Sequence, residues 1–146
     1  MNCRCNICDF TVEDYKISGI AAPYNKLSKD LGSYREVIAP GAFESVLASN
    51  PNVIACIDHS RESDKVLGST DAGLEFSLNV AKTTTGTDII ELIKRGDLNK
   101  MSFAFSVGDE TWMPYGNEMI RTIHSFKDLT DISIVVNPAY EDTNVA

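Results

Sequence analysis

The sequence lacks long hydrophobic runs, and nowhere do its apolar residues approach the roughly 18 that a membrane-spanning helix needs. Its opening stretch, "MNCRCNICDF", also lacks the apolar core of a secretory signal, so an intracellular setting is expected. Clusters of Lys and Arg are missing as well. A formal net charge of -8 suits a phosphate backbone poorly, and nucleic acid is excluded as the expected partner. There is no internal repeat and no low-complexity segment. Histidine is scarce, with His59 and His124 as the two candidates for a general base.

What is present is an ordinary globular composition. The 146 residues are 43% hydrophobic and 23% charged, enough for one domain with its own core. Residues 1–14 read as a polar, cysteine-bearing lead-in, and residues 15–146 as the domain proper. Cysteine occurs at Cys3, Cys5, Cys8 and Cys56. The C-x-C-x-x-C spacing offers three thiolates to a metal, with Cys56 or His59 as a fourth ligand. Zinc motifs usually show two separated pairs, however, and this cluster sits near a terminus. Reduced thiols without a metal are therefore expected, and no cofactor.

Short strands dominate the pattern. "YKISGIAAPY", "YREVI", "NVIACI", "KVLGST" and "GLEFSLNV" read as strands, the last with Leu74, Phe76, Leu78 and Val80 on one face. "AFESVLASN" reads as a helix with Phe43, Val46 and Leu47 on one side. "TTTGTDIIELIKRGD" reads as a second helix. Asp88 and Glu91 fit a capping box in form, and Gly96 fits a stop. "ETWMPYGNEMIRTIHSF" predicts a hairpin with Pro114 to Asn117 in its turn. The expected fold is mainly β with helices (α+β), a small antiparallel or mixed barrel with appended helices.

Two strands carry the candidate chemistry. In "GDLNKMSFAF", Met101, Phe103 and Phe105 share one face. Small barrels fill their interiors with side chains, so that face points inward and Ser102 outward. In "TDISIVV", Ile132 and Ile134 point inward by the same logic, and Asp131 and Ser133 outward. If these strands are neighbours, a hydroxyl and a carboxylate share an outer surface, and His59 at the end of "NVIACI" could stand between them. A serine is a poor nucleophile until a base within reach removes its proton. Imidazole can take that role near neutral pH, and a third group can fix its tautomer. Spacing alone leaves open whether the three meet. On spacing alone, His59 also fits a surface loop histidine, and Ser106 and Ser133 read as plain strand serines.

Several ordered blocks add to this reading: "ISGIAAPYN", "REVIAPGAFESVL", "DHSRESDKVLGS", "TDIIELIKRGDLNKMSFAFSV" and "LTDISIVVNPAYEDT". Together they resemble the prohead (capsid maturation) serine proteases of tailed phages, the HK97-like group, related in fold to the herpesvirus assemblins. The resemblance implies a closed β-barrel of the assemblin type. It also implies that His59 is the general base and Ser102 the nucleophile. The third member falls on Asp131, where the family commonly has Glu; assemblins use a second histidine, which makes His124 the alternative. Backbone N–H groups would hold the oxyanion, with an arginine such as Arg95 or Arg121 in support. The implied substrates are the scaffolding segment of the major capsid protein and the protease itself, inside the assembling prohead in the bacterial host cytoplasm. Self-association is left open. The rival readings are a non-catalytic capsid assembly module and a zinc-stabilised interaction domain.

Overall fold

The computed structural model describes residues 2–49, 51–57, 60–62 and 65–135, with backbone alone for 60–62. In chain order the elements begin with β1 (Asn2–Ile7), β2 (Thr11–Glu13), β3 (Lys16–Pro23), β4 (Tyr34–Ile38) and α1 (Glu44–Ala48). Next come β5 (Ile54–Ile57), β6 (Ser60–Glu62), β7 (Lys65–Ser69), β8 (Gly73–Asn79) and α2 (Thr84–Lys94). The series closes with β9 (Lys100–Val107), β10 (Glu110–Tyr115), β11 (Glu118–Ile123) and β12 (Phe126–Ile134). The strands pair into three sheets, ordered β1-β9-β12-β5-β6, β10-β11-β4 and β2-β3-β8-β7. The protein is thus mainly β with two helices, and no closed ring of strands forms among the described residues.

The five-stranded sheet owes its inner face to alternation, broken once in β12. Met101, Phe103 and Phe105 of β9 are buried, as are Leu129, Ile132 and Ile134 of β12 and Ala55 and Ile57 of β5. Phe43, just ahead of α1, seats the helix on this face. Its ring stacks on Phe126 at 4.2 Å and meets Phe103 edge-on at 5.8 Å. Such ring pairs add about 0.5–1.5 kcal/mol each beyond their buried area. Truncating one core ring costs about 3–5 kcal/mol, so this cluster fixes how β9 is held.

α2 buries Ile89, Ile90 and Ile93. Its cap differs from the expected one. Thr83 is the N-cap, its hydroxyl accepting from the Gly86 N–H at 3.0 Å, so Asp88 and Glu91 lie inside the helix. The stop at Gly96 holds: the residue has φ +81°, and the Gly96 and Asp97 N–H groups return to the carbonyls of Ile93 and Leu92. The hairpin turn is tighter than expected. Gly116 and Asn117 alone join β10 to β11, and Pro114 lies within β10, opposite Met119. β10 is the edge of its sheet, where a residue without an N–H is tolerated.

The stretch expected as a lead-in supplies two strands. β1 pairs antiparallel with β9, and β2 with β3. A strand with Arg4 in an inward position needs a partner for that charge, and Glu36 of β4 provides it. Arg4 Nε donates to Glu36 Oε1 at 2.9 Å and its NH2 to Oε2 at 3.0 Å, both residues being buried. Arg121 of β11 donates to the same carboxylate at 3.2 Å and to Glu110 of β10 at 2.6 Å. This charged chain ties the five-stranded sheet to the three-stranded one. Cys8, just beyond β1, is buried in the core. Among the described residues no disulfide forms, no cluster could hold a metal, and no helix is long and apolar enough to cross a membrane.

Candidate functional site

β9 runs between β1 and β12, and its register places Ser102 opposite Cys5 on one side and Ser133 on the other. β5 continues the row with Cys56 beside Ser133. Paired residues in a sheet share a face, so Cys5, Ser102, Ser133 and Cys56 form one rung on the outer surface. The next rung carries Cys3, Ala104, Asp131 and Ile54. Ser102 and Asp131 therefore stand diagonally across two paired strands, on the same face.

A bulge makes this possible. Leu129 is buried opposite Phe105, and under strict alternation Asp131 would follow it inward. The register instead slips between Leu129 and Asp131, leaving Thr130 as the extra residue. Thr130 Oγ1 donates to the Ala104 carbonyl at 3.2 Å, which anchors the irregularity. Asp131 is thereby turned to the Ser102 side.

The Ser102 hydroxyl lies 3.0 Å from that of Ser133, in hydrogen-bond contact. Either oxygen can donate; with Ser133 as the donor, the Ser102 O–H is left to be donated to a base. Burial holds the Asp131 carboxyl above the usual carboxylate range. Cys3 is also raised, first by burial and then by the negative charge of Asp131, with Arg4 opposing. Both observations place Asp131 and Cys3 in a partly desolvated patch.

The expected residues are distributed as follows. Ser102 and Asp131 are brought onto one surface. β5 ends at Ile57, and His59 lies outside the described residues. His124 is exposed between β11 and β12, where its Nε2 meets Thr111 Oγ1 at 3.0 Å. Near it Phe126 pairs with Val107, five residues along β9 from Ser102 or about 17 Å of strand. Arg121 is committed to Glu36 and Glu110, and Arg95 lies beside Asp97 at the end of α2. Trp112 of β10 is 45% exposed and packs edge-on against Tyr34.

Ser133 and Cys5 are the neighbours that the sequence reading missed. Ser133 had been assigned with Asp131 to the outer face, so its side was legible. Its contact with Ser102 depends on a register that the sequence does not display.

The fold and site define a small β-rich domain that presents a strand serine on its surface, beside a partly buried carboxylate. The family model of the caudovirus prohead serine proteases matches residues 5–146, and the chain belongs to that family. The match takes in the second half of β1 and starts twelve residues ahead of where the ordered sequence blocks begin. No curated protein and no solved structure matches the chain.

Proposed function

We propose that the chain is a serine endopeptidase of capsid maturation, acting inside the assembling prohead in the host cytoplasm. Its substrates are the scaffolding segment of the major capsid protein and the protease itself. The observation that carries this reading is the surface position of Ser102 in mid-sheet, diagonal to Asp131 on the adjacent strand. The family match over residues 5–146 supports it.

In this mechanism Ser102 Oγ attacks the scissile carbonyl carbon while His59 takes its proton. The tetrahedral adduct collapses, the C–N bond breaks, and His59 returns the proton to the leaving amine. Water then adds to the acyl ester with His59 again as base, releasing the carboxylic acid product and regenerating Ser102. Asp131 orients His59 and stabilises its imidazolium form. Backbone N–H groups hold the oxyanion. A closed barrel of the assemblin type belongs to the same reading.

A non-catalytic assembly module is the second reading. What favours it is that a hydroxyl, Ser133, rather than a base, meets the Ser102 oxygen among the described residues. Co-expression with the cognate capsid protein separates the two. Under the protease reading the capsid protein loses its scaffolding segment with the wild type and keeps full mass with Ser102→Ala. Full-length capsid protein in both cases supports the assembly module, and processing in both rules out Ser102 as the nucleophile.

A further inference from the structure

A cavity of about 250 Å³ opens beside the Ser102 rung. Cys5, Ile7 and Lys100 form its wall on that side, and Arg4, Glu36 and Phe103 its floor. Cys5 is the cross-strand neighbour of Ser102, and Lys100 lies two residues before it, paired with Ile7. The lining thus reaches the strand beside Ser102 at Cys5 and, through Arg4 and Phe103, the buried face of the same sheet, around the outer edge of β1.

Its charge is opposite to that of the protein. Among the described residues, four cationic side chains, Arg4, Lys26, Lys29 and Lys100, line it with a single carboxylate, Glu36, in a chain whose net charge is -8. Glu36 is taken up by Arg4 and Arg121, so the floor is internally compensated. The excess positive charge of the rim lies with Lys26 and Lys29. Lys26 and Lys29 are exposed and form no ion pair among the described residues.

The segment that carries them is held in place. Ser28, between them, donates its N–H to the Glu36 carbonyl at 2.8 Å, and its hydroxyl accepts from the Glu36 N–H at 2.8 Å. Asn25 N–H donates to the Ile38 carbonyl at 2.9 Å. Two lysines on a fixed loop form a standing positive rim, with Leu27, Leu31 and Ile38 supplying apolar wall.

We infer that this cavity is a substrate subsite that takes an acidic side chain of the peptide being cleaved. The inference rests on the protease reading of Ser102. The volume suits one or two side chains, and a carboxylate entering it would meet the lysine rim. An extended peptide advances about 3.3 Å per residue, so the acidic residue sits within about three residues of the scissile bond. A lysine there would be rejected by like charge.

Two measurements test the inference. In the first, the wild type is given a degenerate peptide library and its products are read by mass spectrometry. Glu or Asp is expected over Lys at one position near the cut by about tenfold or more, shrinking as salt is raised. In the Lys26→Glu/Lys29→Glu variant that ratio should collapse or invert. Both changes lie on an exposed loop, clear of the core. In the second, Ser102→Ala protein is titrated with fluorescent peptides differing by Glu, Gln or Lys. The Glu peptide should bind tightest, and the loop variant should abolish the difference. Cleavage without acidic preference at any position, or a preference unchanged in the variant, overturns the subsite and leaves the protease reading intact. Selective binding of the Glu peptide with no cleavage by the wild type overturns the protease reading and keeps the anionic site. Equal binding of the three peptides overturns the site.

Discussion

The hydroxyls of Ser102 and Ser133 face each other across β9 and β12, 3.0 Å apart. Each is the other's directly opposed residue in the antiparallel register. Ser102→Ala should leave stability within about 1 kcal/mol, the value of one neutral hydrogen bond. Turnover should fall by on the order of 10⁶, as when the nucleophile of a serine triad is removed. Ser133→Ala keeps nucleophile and base and loses one orienting contact of about 1 kcal/mol. A drop of roughly fivefold in kcat is expected. Both variants are to be assayed on one peptide with melting curves alongside. Residual turnover in Ser102→Ala comparable to wild type ends the serine mechanism.

Asp131→Asn preserves shape but favours the wrong imidazole tautomer, and its loss in kcat should approach roughly 10⁴. His124→Ala breaks the contact with Thr111 on an exposed loop, and activity should stay within about twofold, as for other surface changes. Reversal of this order makes His124 the third member. Small losses in both leave a dyad of Ser102 and His59.

The pH dependence follows from the same carboxyl. Its folded pKa is raised by burial, so the native state binds this proton more tightly than the unfolded chain does. The ionised form costs stability above the raised pKa, and that cost disappears as pH falls through it. Turnover needs the ionised form and moves the opposite way. At pH 7 Asp131→Asn should therefore melt at or above the wild-type temperature while losing activity. A clear fall in Tm would show that the carboxylate is held by favourable contacts and refute the burial account.

Glu36 is the shared acceptor of Arg4, which is buried, and Arg121, which is half-buried. Glu36→Ala removes the carboxylate from the buried Arg4 and leaves Arg121 to Glu110, at a cost of about 3–5 kcal/mol. That corresponds to a fall in Tm on the order of 10 °C. Arg35 and Glu118 form a pair whose side chains are 36% and 38% exposed, and Arg35→Ala should cost less than about 1 kcal/mol. Thermal melts of the two variants check the contrast. Equal effects would mean that the buried chain does not join the sheets.

The cysteines should react unequally. Burial pushes the Cys8 thiol up to about 11 and shields it; the Cys3 thiol is raised as well, but its side chain is exposed to reagent. Iodoacetamide at pH 8 should label Cys3 in the native protein and reach Cys8 on unfolding, as followed by intact mass. Cys8→Ser buries a hydroxyl in the core and should cost about 1–3 kcal/mol. Labelling of Cys8 at the rate of Cys3 would show that the N-terminal strands open on their own.

Much of this arrangement was legible in the sequence. The alternation in "KMSFAF" and "GLEFSL" gave both strand and face, because burial on one side leaves a period of two. The outward sides of Ser102 and Asp131 followed from their strands taken singly. β1 was not legible, because "NCRCNI" has no apolar alternation. Its inward Arg4 makes sense with Glu36, a partner 32 residues away. The helix cap was misplaced because Thr83 lacks a Glu three residues on, while Asp88 and Glu91 mimic the motif. The slip at Thr130 was invisible for another reason: an extra residue exists relative to a partner strand, not within its own.

The sheet that carries Ser102 draws on segments from residues 2–7, 54–57, 60–62, 100–107 and 126–134. Nearly every pairing in it closes a long stretch of chain, which makes assembly of this sheet slow compared with local hairpins. During synthesis, at roughly 5–20 residues per second, Ser102 emerges seconds before the strand bearing Ser133 and Asp131. A growing chain, or a fragment ending short of β12, contains the serine without its surroundings. Under the proposed protease reading, synthesis of β12 acts as the first timer.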